Sequence, residues 1–200
     1  MSIAAEVKAF VDATPPGSFL DVNEAPGVGA ARDAAMSRLA SARADVVSVR
    51  KGLYWKAPVS RFGPVPADPI RVAMRVLSDR GVGLTGWAAS NHLGLSSQVP
   101  ARTDLVAVGR VPKGLAGVRV HSRSNIYRLG LNPEEVAALE VLRAMPGYTE
   151  SDLDTTTARF AELARSGDIR PTAVDMAVRH EHRAGVGERW GKIRRALIAS

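Results

Sequence analysis

Residues 28–56 read VGAARDAAMSRLASARADVVSVRKGLYWK, and the fold of the first quarter of the chain turns on them. Val28, Ala31, Ala35, Leu39 and Ala42 fall on one stripe at helical spacing and predict a helix ending near Arg43. Two short β-forming runs follow, over 46–49 and 53–55. They are joined by Arg50-Lys51-Gly52, where Gly52 permits the positive φ of a tight turn. Helix, strand, basic glycine turn, strand is the order of the second half of a winged helix-turn-helix.

Upstream, Ile3, Val7, Phe10 and Val11 form a one-faced helix with Ser2 as N-cap, stopped by Pro15, Pro16 and Gly17. Phe19-Leu20-Asp21-Val22 predicts one or two helical turns before Pro26-Gly27. The Val28 stripe then packs on the first helix. The opposite face shows Ala30, Asp33, Ser37, Ala40 and Ser41, with Arg32 and Arg38 at its margins. Small residues let a helix backbone sit deep in a major groove, and flanking arginines reach phosphates or guanine edges. The competing use of such a face is packing against another subunit. Arg50 and Lys51, at the turn, sit where a wing meets the sugar–phosphate backbone; they also serve as edge protection for the strands. Arg32, Ser37, Arg38, Arg43, Arg50 and Lys51 are the expected DNA contacts.

With 200 residues, 46% hydrophobic and 24% charged, the chain can bury one large core or two small ones. It has no cysteine, which removes disulfides and thiolate metal sites and fits a reducing cytoplasm. Glu6 and Lys8 interrupt the apolar pattern at the start, against a secretory leader, and no apolar run reaches the ~20 residues of a membrane span. The expected location is therefore cytoplasmic, away from membrane. The net charge of +7 is uneven: residues 1–60 balance at +1, 61–130 at +7, 131–165 at −4 and 166–200 at +3. A basic middle and tail favour a polyanion or an acidic protein partner, or reflect an ordinary solvated surface rich in arginine.

Residues 57–69, APVSRFGPVPADP, hold four prolines without an apolar period and read as an ordered linker. A helix over 69–81 follows, then a short helix from Gly86 capped by Gly94. Strands are predicted over 105–108 and 118–121, on either side of a second basic turn, Arg110-Val111-Pro112-Lys113-Gly114, read as a solvated hairpin loop. Asn132 is an N-cap with Pro133 at the first helical position. Helices are expected from there to Pro146, over 151–165, from Pro171 to about Arg183, and over 188–198. The last carries Trp190, Ile193 and Leu197 on one side and Arg189, Lys192, Arg194 and Arg195 around the other.

Chemistry is sparse. His180 and His182 are two apart, which on a helix points them to different sides, so no metal site is expected. Gly27-Val28-Gly29 lacks the strand and third glycine of a dinucleotide fingerprint, and no phosphate-loop motif occurs. Ser90 and His92 have no nucleophile elbow around them.

The run from Arg32 to Leu39 (R-x5-R-L) and the strand-turn-strand V-x-R-K-G-L-Y-W-K resemble the AbiEi-type antitoxins of bacterial abortive-infection toxin–antitoxin systems. Arg61-Phe62-Gly63-Pro64 and the block Asn91-His92-Leu93-Gly94-Leu95-Ser96-Ser97-Gln98-Val99-Pro100 extend the resemblance over about residues 1–125. The chain departs from that pattern in having Ala44-Asp45 where a glycine usually separates helix from wing. The resemblance implies an α+β protein: a winged helix-turn-helix DNA-binding domain over 1–57, a linker over 58–69 and a mixed, mainly helical antitoxin domain over 70–200. It implies operator DNA and a nucleotidyltransferase-like toxin as partners, autorepression of the operon, and no cofactor. It also directs Arg189, Lys192, Arg194 and Arg195 toward an acidic toxin surface; on the residues alone the same helix adds phosphate contacts or, as is commonest, packs its Trp stripe and leaves the charges solvated. The alternative it raises is enzymatic: an atypical serine/threonine phosphotransferase that inactivates the toxin using ATP and Mg²⁺. Asp152 and Asp154 would then be the metal-binding carboxylates, with Lys56 or nearby arginines on the phosphates. Against that stands the simpler reading of Asp152 and Asp154 as acids at a helix N-terminus.

Overall fold

The computed structural model describes residues 2–199, Ala199 by its backbone alone. The chain is α+β and divides into two compact units, Met1–Asp68 and Pro69–Ser200.

In the first unit, α1 (Ile3–Ala13) starts on Ser2, whose hydroxyl accepts from the Ala5 amide, and buries Val7 and Val11 on one face. Pro15-Pro16 ends it, and Gly17, at φ +84°, turns the chain so that its amide donates to the Lys56 carbonyl at 2.7 Å. Here the helical turns expected over 19–22 give way to a strand, β1 (Ser18–Asp21). Only Val22–Glu24 makes a 3-10 turn, capped by the Asp21 carboxylate. A four-residue apolar run has no period that separates helix from strand, so its partner decides.

That partner is β3 (Leu53–Lys56). It pairs antiparallel with β1, setting Phe19 opposite Trp55 and Leu20 opposite Tyr54, and with β2 (Val46–Arg50) on its other edge. The sheet order is β1-β3-β2, so all four residues of β3 are buried. Between β1 and β2 runs α2 (Gly29–Ala42), rotated from the expected stripe. Ala35 and Met36 are buried and Leu39 and Ala40 partly so, whereas Val28 is 82% exposed and Ala31 and Ala42 face outward. Met36 offers far more apolar area than any alanine, and its burial sets the helix rotation.

Residues 57–68 are no linker but part of this unit. Ala57 is buried, β4 (Val59–Ser60) and β5 (Gly63–Pro64) close a small hairpin, and the Trp55 indole N–H donates to the Val65 carbonyl at 2.9 Å. The boundary falls at 68/69, one residue from the expected start of the second domain.

Lys56 ends β3 buried, its ammonium donating to the carbonyls of Val11 at 2.7 Å and Asp12 at 3.1 Å. These belong to the last turn of α1, where the carbonyls lack helical partners and the helix dipole favours a cation. Replacing Lys56 with Met strands both oxygens in a buried site. The K56M variant is expected to lose about 1–3 kcal/mol in urea unfolding, concentrated in the first unit. A loss below about 0.5 kcal/mol would contradict the capping role.

The second unit is built on α5 (Pro133–Ala144), whose residues from Glu135 to Leu142 are all buried. Asn132 caps it as expected, its side chain accepting from the Glu135 amide while Glu135 accepts from the Asn132 amide. Ahead of it come α3 (Pro69–Val76), β6 (Gly83–Leu84) and α4 (Gly86–His92), which ends with the Gly94 amide donating to the Asn91 carbonyl. β7 (Thr103–Val108) and β8 (Val118–Arg123) complete a sheet of order β6-β7-β8. β7 and β8 are parallel, with Asp104 opposite Arg119, so the expected hairpin over 109–117 is instead a crossover. Nine extended residues span up to ~30 Å, enough to return along a six-residue strand of ~20 Å without a helix. After α5, the helices α6 (Leu153–Ser166), α7 (Pro171–Arg179) and α8 (Val186–Ala199) pack on its core through Phe160, Val174, Trp190 and Ile193.

Candidate functional site

The outward face of α2 carries Ala30, Asp33, Ser37, Arg38 and Ser41. Arg32 is not free to join them: its side chain is largely buried and its Nε lies 3.2 Å from Asp33 Oδ1. Arg43 is committed too. Its guanidinium grips Asp45 with both Nε and Nη2, at 3.0 and 2.9 Å, and reaches Asp12 on α1 with Nη1. Hydrogen bonds from Lys8 and then Arg43 hold the Asp12 carboxyl down at about 2. The fork of Arg43 likewise lowers Asp45. Arg43 therefore fastens the end of α2 to the end of α1, with its guanidinium engaged by two carboxylates.

Arg50 and Lys51 stand exposed at the β2–β3 turn, where Arg50 pairs with Leu53 across a bulge at Val49. A second exposed tip belongs to the small hairpin. Phe62 is 84% exposed with the Arg61 guanidinium stacked 4.5 Å above its ring. The Ser60 hydroxyl holds this tip, donating to the Gly63 carbonyl and accepting from the Phe62 amide. Among the described residues of this unit, Arg38, Arg50, Lys51 and Arg61 are cations without an ion pair.

The second unit holds a cleft of about 420 Å³. Along β8, Arg119, His121 and Arg123 alternate with Val118 and Val120, which pack into the core, and so share the opposite face. β7 sets Asp104 beside them, 3.0 Å from His121 Nε2 and 4.0 Å from Arg119. α4 contributes Trp87, α5 contributes Glu140 and Arg143, and Tyr148, Arg102 and Arg183 come from loops. Trp87 and Tyr148 meet edge to face, with ring centroids 5.8 Å apart. Ser90 anchors the Tyr148 backbone by donating to its carbonyl.

Behind the cleft lies a ring of ion pairs. Glu140, 2% exposed, accepts from Arg123 Nη2 at 2.6 Å and from Thr85 Oγ1 at 2.7 Å, and lies 3.4 Å from Arg143 Nε. Arg128 is fully buried; its Nε donates to Glu181 at 2.6 Å. Its Nη1 stands 2.8 Å from Glu140 without hydrogen-bond alignment, so that end is held by charge alone. Arg143 closes the ring onto Glu181. Burial opposes ionisation of Glu140, but the Arg123 hydrogen bonds and the charges of Arg128 and Arg123 outweigh it and hold the carboxyl at about 2.

Asp152 is the N-cap of α6, accepting from the Thr155 amide at 2.8 Å, and Asp154 lies exposed in the first turn. Lys56 is spent on α1. On α8, Arg189 Nε donates to the Leu142 carbonyl, Lys192 pairs with Glu188, and Arg194 lies 3.4 Å from Asp175. Arg195 is exposed, and Trp190 and Ile193 are buried as expected. α7 ends at Arg179, so His180 and His182 lie beyond it, and His180 stacks on Tyr127 at 3.7 Å. Sequence reasoning missed the cleft; the alternation Arg119-x-His121-x-Arg123 on a strand was the signal for it.

No protein-family model matches this chain, and no curated protein does. Among solved structures it is similar to the RV2827C protein from Mycobacterium tuberculosis, at 17% identity over 98% of this chain and 80% of that one, with a TM-score of 0.45. No helix among the described residues is long and apolar enough to cross a membrane.

The ion ring makes a pH prediction. A Glu140 carboxyl shifted from 4.5 to about 2 contributes stability that is fully present above 4.5 and lost as pH falls toward 2. E140Q is expected to be less stable than the unmodified protein by about 3 kcal/mol at neutral pH. The gap between the two denaturation midpoints should close between pH 4.5 and 2. A gap independent of pH would contradict the ionised state of Glu140.

Proposed function

We propose that residues 1–68 are a winged helix-turn-helix that binds promoter DNA, and that the protein is an AbiEi-type antitoxin. In this reading it represses its own operon and neutralises a nucleotidyltransferase-like toxin. The observation that carries the DNA half is the topology of the first unit. Helix, strand, turn, helix and hairpin run in that order, and the first strand is added to the far strand of the hairpin in a β1-β3-β2 sheet. The exposed small-residue face of α2 and the free cations at two hairpin tips support it. The antitoxin half rests on the resemblance of the Arg32–Leu39 run, the strand-turn-strand and the two blocks at 61–64 and 91–100.

In this reading the contact set is a narrow one. Ser37 and Arg38 face the major groove and Arg50 and Lys51 meet phosphates, while Arg32 and Arg43 serve the fold. The Phe62–Arg61 tip joins them as an apolar wedge flanked by a cation, of the kind that enters a minor groove. In this reading neutralisation is by binding: the Asp152 side chain is taken up in a helix cap and Lys56 in another, which leaves Asp154 alone of the three named phosphotransferase candidates uncommitted. Of the α8 cations, Lys192, Arg194 and Arg195 are all exposed to a partner, the first two already paired with Glu188 and Asp175.

The test is a mobility-shift titration of the protein's own promoter over a salt series. Changing Arg50 and Lys51 together to Ala should weaken binding and reduce the slope of log affinity on log salt by up to ~2. Arg38→Ala should cost about 1–3 kcal/mol on the cognate sequence and little on unrelated DNA. Promoter binding unchanged by all three substitutions would overturn the interface. Co-expression of the R50A/K51A variant with the neighbouring toxin should still rescue growth, since repression and neutralisation use different units.

A further inference from the structure

We propose that the arginine-lined cleft of the second unit is a binding site for a nucleoside polyphosphate, independent of any DNA contact by the first unit. The size fits: about 420 Å³ lies within the ~300–1,000 Å³ range of small-ligand sites. So does the charge. Five arginines line the cleft against Asp104 and Glu140, and Glu140 is already engaged by Arg123, Arg128 and Arg143. Arg102 and Arg183 are exposed and carry no ion pair among the described residues. Unneutralised guanidinium groups gathered in a concavity focus a positive potential, and their planar forks match phosphate oxygens.

A bare anion would need no aromatic wall, and this cleft has one. Trp87 and the half-exposed Tyr148 stand edge to face beside the cations, so a ring face is offered to a planar base next to donors for its phosphates. The frame is preorganised: β8 fixes the spacing of Arg119 and Arg123, and the buried ion ring fixes Arg123 and Arg143. Arginine, unlike lysine, keeps its charge through such crowding.

Calorimetric titration of the full-length protein with ATP, in metal-free buffer, should show one saturable site, and inorganic pyrophosphate should bind at least tenfold more weakly. R102A/R183A should weaken ATP and pyrophosphate at least tenfold. Both side chains are exposed, so the fold is expected to be kept, as circular dichroism would verify. W87A should bring ATP down to the pyrophosphate level and leave pyrophosphate unchanged. Tryptophan fluorescence gives a second readout, because Trp55 and Trp190 are buried and quenching by ATP must come from Trp87. No saturable ATP binding, or an R102A/R183A protein that is folded and binds as well as the unmodified one, would overturn the site. Equal affinity for ATP and pyrophosphate, unaffected by W87A, would overturn its nucleoside half.

Discussion

The carboxylate of Glu140 sits almost wholly out of water and stays charged, and most of what surrounds the cleft is arranged to keep it so. An isolated charge in that position would cost several kcal/mol. Three arginines and a threonine hydroxyl meet it, drawn from β8, the 3-10 segment at Ile126–Gly130, α5 itself and the residue before α4. The result ties together segments separated by as much as 55 residues along the chain. It also determines which cations are left over. With Arg123 and Arg143 held in the ring, the free positive charge at the cleft falls to Arg102 and Arg183. The same network that stabilises the unit thereby shapes the field a ligand would meet.

The first unit solves the same problem with a cation. Lys56 is buried and is satisfied by helix-end carbonyls, which carry partial negative charge, with the charge of Asp45 also acting on it. Arg43 does related work at the surface, clamping α1 to the end of α2 through Asp12 and Asp45. Both are basic residues in a segment where basic residues invite a DNA reading. The unit holds eight basic and seven acidic side chains, so its overall charge is close to neutral. What remains for a phosphate backbone is a small set at defined points: one arginine on the helix face, a pair at the β2–β3 turn and a single arginine at the second hairpin tip.

Much of this was legible in the sequence where the physics is local. The Asn132-Pro133 helix start, the Ser2 cap, the Gly52 turn and the Gly94 helix end all follow from residues within a few positions of one another. The failures are non-local. Phe19–Asp21 became a strand because β3, more than thirty residues on, offered an edge. The 109–117 segment became a crossover because β8 pairs parallel, which no short window reveals. The Arg32–Asp33 pair lies between neighbours in sequence, but the contact of Arg43 with Asp12 spans 31 residues and is invisible until the fold brings the two together. The cleft was hidden for the same reason, its lining being drawn from segments that span residues 85–183.

The central claim is that the first unit reads DNA through α2 and its hairpin tips. Hydrogen exchange of the full-length protein, with and without its own promoter fragment, tests it most directly. Slowed exchange is predicted at residues 37–41, 50–52 and 61–63, with residues 69–200 unchanged. Protection confined to 69–200, or none at the two tips at saturating DNA, would contradict it.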